Sequence, residues 1–223
     1  NAENLIFSGS GTQRVEDALQ RQFPKSKILR MDMDTVRGKD SHMKILEKFA
    51  NGKADILLGT QMIAKGLDFE NVTLVGVINA DSGLFFPDFR AGERVFQLIY
   101  QVAGRAGRRS KPGLAIIQTY NPEDIYIQTA SALNTKKFYN VALAQRQELN
   151  YPPFSRMGRI LFTGKNKLIV DDFAKKTSRK LQGNPNYKIL GPASAPVEKI
   201  QGNWRTHLII KTKDRNISSL HQF

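Results

Sequence analysis

Val72-Thr73-Leu74-Val75-Gly76-Val77-Ile78 is the stretch on which the fold turns. It is almost continuously apolar and lacks the in–out alternation of a half-exposed strand. Such a run reads as a strand buried on both faces, the pattern of a parallel sheet between helical layers. Working outward, Ile56-Leu57-Leu58 and Lys27 to Asp32 read as two earlier short strands, and Leu114 to Thr119 as a later one. Helical patterns separate them. Val15, Ala18, Leu19 and Phe23 recur at helical spacing and stop at Pro24. Met43, Ile45, Leu46 and Phe49 form a second apolar stripe, with Asp40 or Ser41 as its cap and Asn51-Gly52 as its end. A long helix is expected over about 90–106, with Ala91, Val95, Leu98, Ile99, Val102 and Ala106 facing the sheet. Strands alternating with helices predict an α/β fold with a doubly wound parallel sheet.

The texture changes after residue 120. Residues 122–148 read as mainly helical and polar. Tyr151-Pro152-Pro153-Phe154 breaks that pattern, so domains are expected at 1–148 and 149–223. The second reads as a small α+β domain of ferredoxin-like type: a strand at Met157–Thr163, a helix at about 167–181, short strands near 187–190 and 195–199, and a strong strand at Thr206–Thr212. A further helix begins at Asn216, and the chain reads as truncated beyond it.

Composition narrows the function classes. A hydrophobic content of 40% with 24% charged residues is that of a chain with a buried core, and no apolar run approaches a bilayer span. With no cysteine, disulfides and thiolate zinc sites are excluded within the chain, and His42, His207 and His221 lack metal-ligand spacing. Asp32 and Asp34 read as a strand-end polar loop, so no metal site is expected. The net charge of +14 is uneven: residues 1–120 carry 17 Lys/Arg against 13 Asp/Glu, residues 121–223 carry 17 against 7. A basic second domain points to a polyanion, with nucleic acid the commonest; a solvated basic surface is the plainer alternative.

Two motifs carry chemistry. Gln101-Val102-Ala103-Gly104-Arg105-Ala106-Gly107-Arg108 ends the long helix. If the helix continues, Gln101, Arg105 and Arg108 share one exposed face. Paired guanidiniums suit a phosphate, while glycines between them permit close approach of another surface. The alternative is a solvated, arginine-rich helix end complementing the helix dipole. Thr60-Gln61-Met62-Ile63-Ala64-Lys65-Gly66-Leu67-Asp68 directly follows the second strand. Together, in this order and on these elements, the two stretches resemble motifs V and VI of superfamily 2 helicases.

The resemblance narrows. Gly59 to Met62, Lys65-Gly66, Val72 to Val75, Asp81, Pro87 to Ala91 and Glu93-Arg94 lead into the motif VI helix as in the PriA family of replication-restart helicases. Gly11-Thr12-Gln13 with Glu16, Arg30 to Asp32 with Asp34, Tyr151 to Phe154, and Gly191-Pro192-Ala193 with Ala195-Pro196 extend the likeness over essentially the whole chain. Segment 81–94 is the part that generic superfamily 2 helicases lack.

That resemblance implies an ATP-dependent 3′-to-5′ DNA helicase of the bacterial cytoplasm and nucleoid, a monomer acting at stalled forks and loading the restart primosome. The first domain would be the second RecA-like lobe. Arg108 would be the arginine finger, aided by Arg105 at the ATP γ-phosphate, with Gln101 positioning water or bridging lobes. Gly66 and Asp68 would lie near the nucleotide sugar, and Thr60 and Gln61 on the DNA backbone; local capping is the alternative for Thr60 and Asp68. Arg90, Glu93 and Arg94 would be structural or DNA-facing. Arg156, Arg159, Lys165, Lys167, Lys175, Lys176, Arg179 and Lys180 would contact DNA. Trp204 and Arg205 would stack on a base or edge the core.

Lys211, Lys213 and Arg215 would meet the acidic tail of single-stranded DNA-binding protein. ATP and Mg2+ would be held mainly by a first lobe, because no phosphate-cradling lysine loop or acidic box is present. The family's zinc-binding cysteines are expected upstream of Asn1. The chain is therefore expected to be a piece of a longer protein, inactive as an ATPase alone. Competing readings are a RecG-like translocase and a non-catalytic nucleic-acid-binding module.

Overall fold

The computed structural model of the protein describes residues 11–32, 41–60, 63, 69, 71–104 and 113–213. The chain divides into two compact units, Asn1–Phe138 and Tyr139–Phe223.

The first unit is α/β. Helix α1 (Thr12–Gln22) leads to β1 (Ile28–Met31), then α2 (Ser41–Ala50) and β2 (Ile56–Gly59). β1 and β2 pair in parallel with Met31 opposite Gly59. Neither strand alternates between buried and exposed, and Met31 is fully buried, as expected for strands between layers. α2 ends as the Asn51-Gly52 signal predicts. Gly52 takes φ 68°, its amide donates to Phe49 O, and the Lys53 amide donates to Lys48 O. This is a Schellman closure, and a side chain at Gly52 would strain that backbone.

β3 (Leu74–Val77) pairs in parallel with β4 (Leu114–Ile117). Here the expectation of burial on both faces is corrected. α3 (Ala91–Ala103) packs on both strands, whereas Leu74 (57%), Ile78, Leu114 and Ile116 stand exposed among the described residues. The apolar run reflects β-propensity on both faces, and composition does not reveal which face a neighbour covers. α3 buries Ala91, Val95, Phe96, Ile99 and Val102, close to the expected stripe. It packs on α4 (Ile125–Ser131), where Asp124 caps the helix by accepting from the Tyr126 and Ile127 amides. Phe96 stacks on Phe138 at 3.7 Å between ring centres. α5 (Thr135–Glu148) carries the division between the units.

The second unit is a βαββ arrangement: β5 (Arg156–Gly164), α6 (Lys167–Gln182), β6 (Tyr187–Ile200) and β7 (Asn203–Thr212). The strand order is β5-β7-β6, with β7 antiparallel to both neighbours. A helix linking two strands with a third inserted between them is the split βαβ of the ferredoxin-like plan. The two short strands expected at 187–190 and 195–199 are one long strand. Gly191-Pro192 marks a register shift between Leu190 and Ala193, where Gly191 at φ 97° lies so close to His207 O that a Cβ would meet it at 2.9 Å. Leu181, Leu208 and Ile210 form the core, flanked by Ile160, Phe162, Tyr187 and Ile189. The helix expected from Asn216 lies outside the described residues.

Candidate functional site

In parallel sheets the ligand-bearing edge is the one where strands end. β1 and β2 end together, with Asp32 just after β1 and Thr60 just after β2. Gly59 closes β2 so tightly that a Cβ would run into Met31 O and the Ile63 side chain. The chain turns at once, with the Ile63 amide donating to Thr60 O at 3.0 Å. Thr60 is therefore exposed at the sheet's carboxyl edge. At the end of β1, buried Asp32 accepts from Thr12 Oγ1 at 2.5 Å and pairs with Arg30 Nε at 3.1 Å. Arg30 also bonds Glu16 at 2.7 Å. These contacts pin the start of α1 to the same edge. Asp32 is thus engaged inside the protein.

The carboxyl ends of β3 and β4 carry a braced ledge, residues 79–94. Asn79 turns the chain at φ 52° into a short 3₁₀ segment, Ala80–Gly83. Buried Asp81 accepts from Thr119 Oγ1 and the Tyr120 amide, both at 2.8 Å. Burial by itself would raise the Asp81 carboxyl; the hydrogen bonds from Tyr120 and Thr119 outweigh it and hold the group below the ordinary value. Asp88 then gathers Arg90 and Arg94. It accepts from the Arg90 amide, Nε and Nη2 at 2.9, 3.1 and 3.0 Å, and from Arg94 Nη2 at 2.7 Å. The Arg90 bonds, against the opposing cost of burial, lower its pKa to about 2. Phe85, 82% exposed, and Phe86 stand outward from this ledge, and the Arg94 guanidinium lies over the Phe86 ring. Both arginines of 81–94 are therefore bracing residues. α3 starts from this brace, Ala91 N donating to Asp88 O at 2.9 Å.

Gln101 is exposed on the last turn of α3, and the Gly104 amide still donates to Tyr100 O at 3.0 Å. Gln61, Gly66, Asp68, Arg105 and Arg108 lie outside the described residues, as do Asp34, Asp40 and Arg215. The edge therefore brings Thr60 to the end of β2, while Gln101 sits at the end of α3.

The second unit does not gather its predicted contacts into one surface. Lys175, Lys176, Arg179 and Lys180 are exposed together on α6, with Lys176 paired to Asp172 at 2.8 Å. Arg156 and Arg159 are both exposed, but three positions apart on a strand they point to opposite faces of the sheet. Lys165 is exposed, and Lys167 is tied to Glu198 at 2.5 Å. Trp204 is bracketed by Lys167 and Lys199, with ammonium nitrogens 5.0 and 4.7 Å from the ring centre. The ring is thus already occupied by cations. Lys211 is 8% exposed; its ammonium lies 3.6 Å from the Tyr151 ring centre and donates to Leu149 O at 3.2 Å. It is spoken for inside the unit, while Lys213 is exposed.

Comparison with known proteins follows this division. A model described as "Helicase conserved C-terminal domain" matches residues 1–110, and one described as "Primosomal protein N C-terminal domain" matches residues 147–223. The Replication restart protein PriA of Bacillus subtilis is 46% identical over 214 residues, 95% of this chain and 27% of that protein. Its counterpart in Synechocystis sp. is 43% identical over 93% of this chain and 25% of the relative, and that of Rickettsia felis 37% identical over 99% and 34%. The chain thus spans about a third or less of the length of these curated relatives. These likenesses cover 93–99% of this chain and so both units, and on that ground the chain belongs to the PriA family of replication restart proteins.

Proposed function

We propose that this chain is the second motor lobe and the DNA-binding C-terminal domain of an ATP-dependent 3′-to-5′ DNA helicase of the bacterial cytoplasm, one that acts at stalled forks and loads the restart primosome. The observation that carries this reading is the pairing of the two family matches, in order, on the two compact units. Thr60, exposed just after β2, and Gln101, exposed on the last turn of α3, support it as polar groups of the kind a second lobe offers to a neighbour.

The fit to nucleotide is that of half a site. The described residues offer the Thr60 hydroxyl and the Gln101 amide, and the sequence continues into Arg105 and Arg108, but it holds no phosphate-cradling loop. When bound, ATP with Mg2+ supplies the phosphoryl group whose departure drives the motor; its grip lies on the first lobe. Here Arg108 acts as the arginine finger and Arg105 as its partner, each placing fixed positive charge where negative charge develops. Gln101 orients water or bridges the lobes, Gly66 and Asp68 approach the sugar, and Thr60 and Gln61 hold the DNA backbone. Family zinc belongs to cysteines that this chain lacks. Forked and single-stranded DNA are the substrates; primosome proteins and single-stranded DNA-binding protein are the partners, met by a monomer.

The test uses the 223-residue chain alone. It should bind DNA with an affinity that falls steeply with salt, since phosphate contacts release counterions, yet turn over no ATP above background with or without DNA. DNA-stimulated hydrolysis by the chain alone would overturn the half-site reading. Salt-independent binding would overturn the DNA-binding role of the second unit.

A further inference from the structure

The sheet of the second unit has two unlike faces. Ile160 and Phe162 of β5 stand opposite Leu208 and Thr206 of β7, and this side meets α6, where Leu208 and Ile210 pack on Leu181. Period two therefore puts Arg159, Lys188, Arg205, His207 and Lys211 on the other side, the face away from α6.

That face is built against its own interest. Lys188 lies directly opposite Lys211 on the neighbouring strand, and like charges so placed destabilise a sheet. Three carboxylates of this unit are committed elsewhere: Asp171 to Thr206, Asp172 to Lys176 and Glu198 to Lys167. Burial and the neighbouring cations disfavour further positive charge on this face. Burial, and then Arg159, lower the pKa of His207; burial, and then Lys188, lower that of Lys211. Arg205 spends one donor on Val197 O at 3.1 Å, and Arg159 and Lys188 are exposed. Between the cations stand Leu161 and Leu190, 36% and 37% exposed.

Cations interleaved with exposed apolar groups match a ligand that carries phosphates and bare base faces together. A duplex keeps its base faces stacked inside and shows only groove edges besides its phosphates; an unpaired strand offers phosphates and bare base faces together. We propose that the exposed part of this sheet face, around Arg159, Leu161, Lys188 and Leu190, binds an unpaired DNA strand and is a surface separate from the basic stripe on α6. The inference deepens the DNA-binding reading given above and rests on it.

The test compares the 223-residue chain with Arg159→Gln/Lys188→Gln and with Lys175→Gln/Arg179→Gln/Lys180→Gln. Each is titrated by fluorescence anisotropy with an oligothymidylate strand, a blunt duplex and an acidic peptide at several salt concentrations. The sheet variant should weaken single-strand binding several-fold and shrink the log K against log salt slope by about 1.4, two contacts at roughly 0.7 each. Its duplex affinity should stay at the parent value. Should the double variant melt lower than the parent, Arg159→Gln alone carries the test, with a slope change of about 0.7. If the parent binds strand and duplex but the sheet variant matches it on the strand, the inference falls and the DNA-binding reading stands. If the parent binds neither, both fall. Loss confined to the peptide would assign the face to a protein partner and overturn the proposal, as would equal loss on strand and duplex.

Discussion

Asp88 carries more of the 79–94 ledge than any other side chain in it, because it answers two guanidiniums and the Arg90 amide at once. Its carboxyl sits near pKa 2 in the folded chain against an ordinary 3.8. A depressed carboxylate contributes stability that is fully present above its unfolded pKa and is lost as pH falls through the folded value. Asp88→Asn should therefore cost stability at pH 7, and parent and variant should converge as pH drops from about 4 towards 2. The shift alone suggests about 2 kcal/mol, but Arg90 and Arg94 are about half exposed, so solvent screening reduces the expected loss to about 1 kcal/mol. Urea melts at pH 7, 4 and 3 check this; a gap that widens in acid would contradict it. Gly92 gives a second prediction. A Cβ there would meet the Tyr126 ring at 2.5 Å. Gly92→Ala should destabilise by about 1–3 kcal/mol of overpacking, more than the gain in helix propensity of up to about 1 kcal/mol. An unchanged melting temperature would show that the ring moves aside freely.

At the scale of elements, Leu208 is the centre of the second unit's core and is fully buried. Leu208→Ala should cost about 2–5 kcal/mol, measured by chemical denaturation of the whole chain; a loss under 1 kcal/mol would mean that the sheet and α6 are not packed as described. The sequence reading located nearly every described element, because helical periodicity and the Asn51-Gly52 and Pro24 punctuation are local signals. It went astray where the answer depends on distant neighbours. β3 was expected to be buried on both faces, yet one face of β3 and β4 is exposed among the described residues. β6 was expected as two strands, because Gly191-Pro192 reads as a break; the chain instead absorbs it as a register shift beside β7. The brace at Asp32 was also hidden, since Thr12 lies 20 residues away and only folding brings its hydroxyl to that carboxylate. The split between Arg156 and Arg159 was legible in principle: strand parity alone separates them.

At the scale of the whole molecule, two compact units of unequal charge lie in one chain. Of the motif residues, the described structure holds Thr60 just after β2 and Gln101 on the last turn of α3, the places their spacing predicts. In the proposed function this site is half of a larger one, and Arg108 completes the chemistry of another lobe. The most direct measurement is DNA-stimulated ATP hydrolysis by the whole protein carrying Arg108→Ala, with fork binding followed in parallel. The account predicts a loss of roughly a thousandfold or more in turnover, the scale of an arginine finger, with fork affinity essentially unchanged. Turnover equal to that of the parent would contradict it.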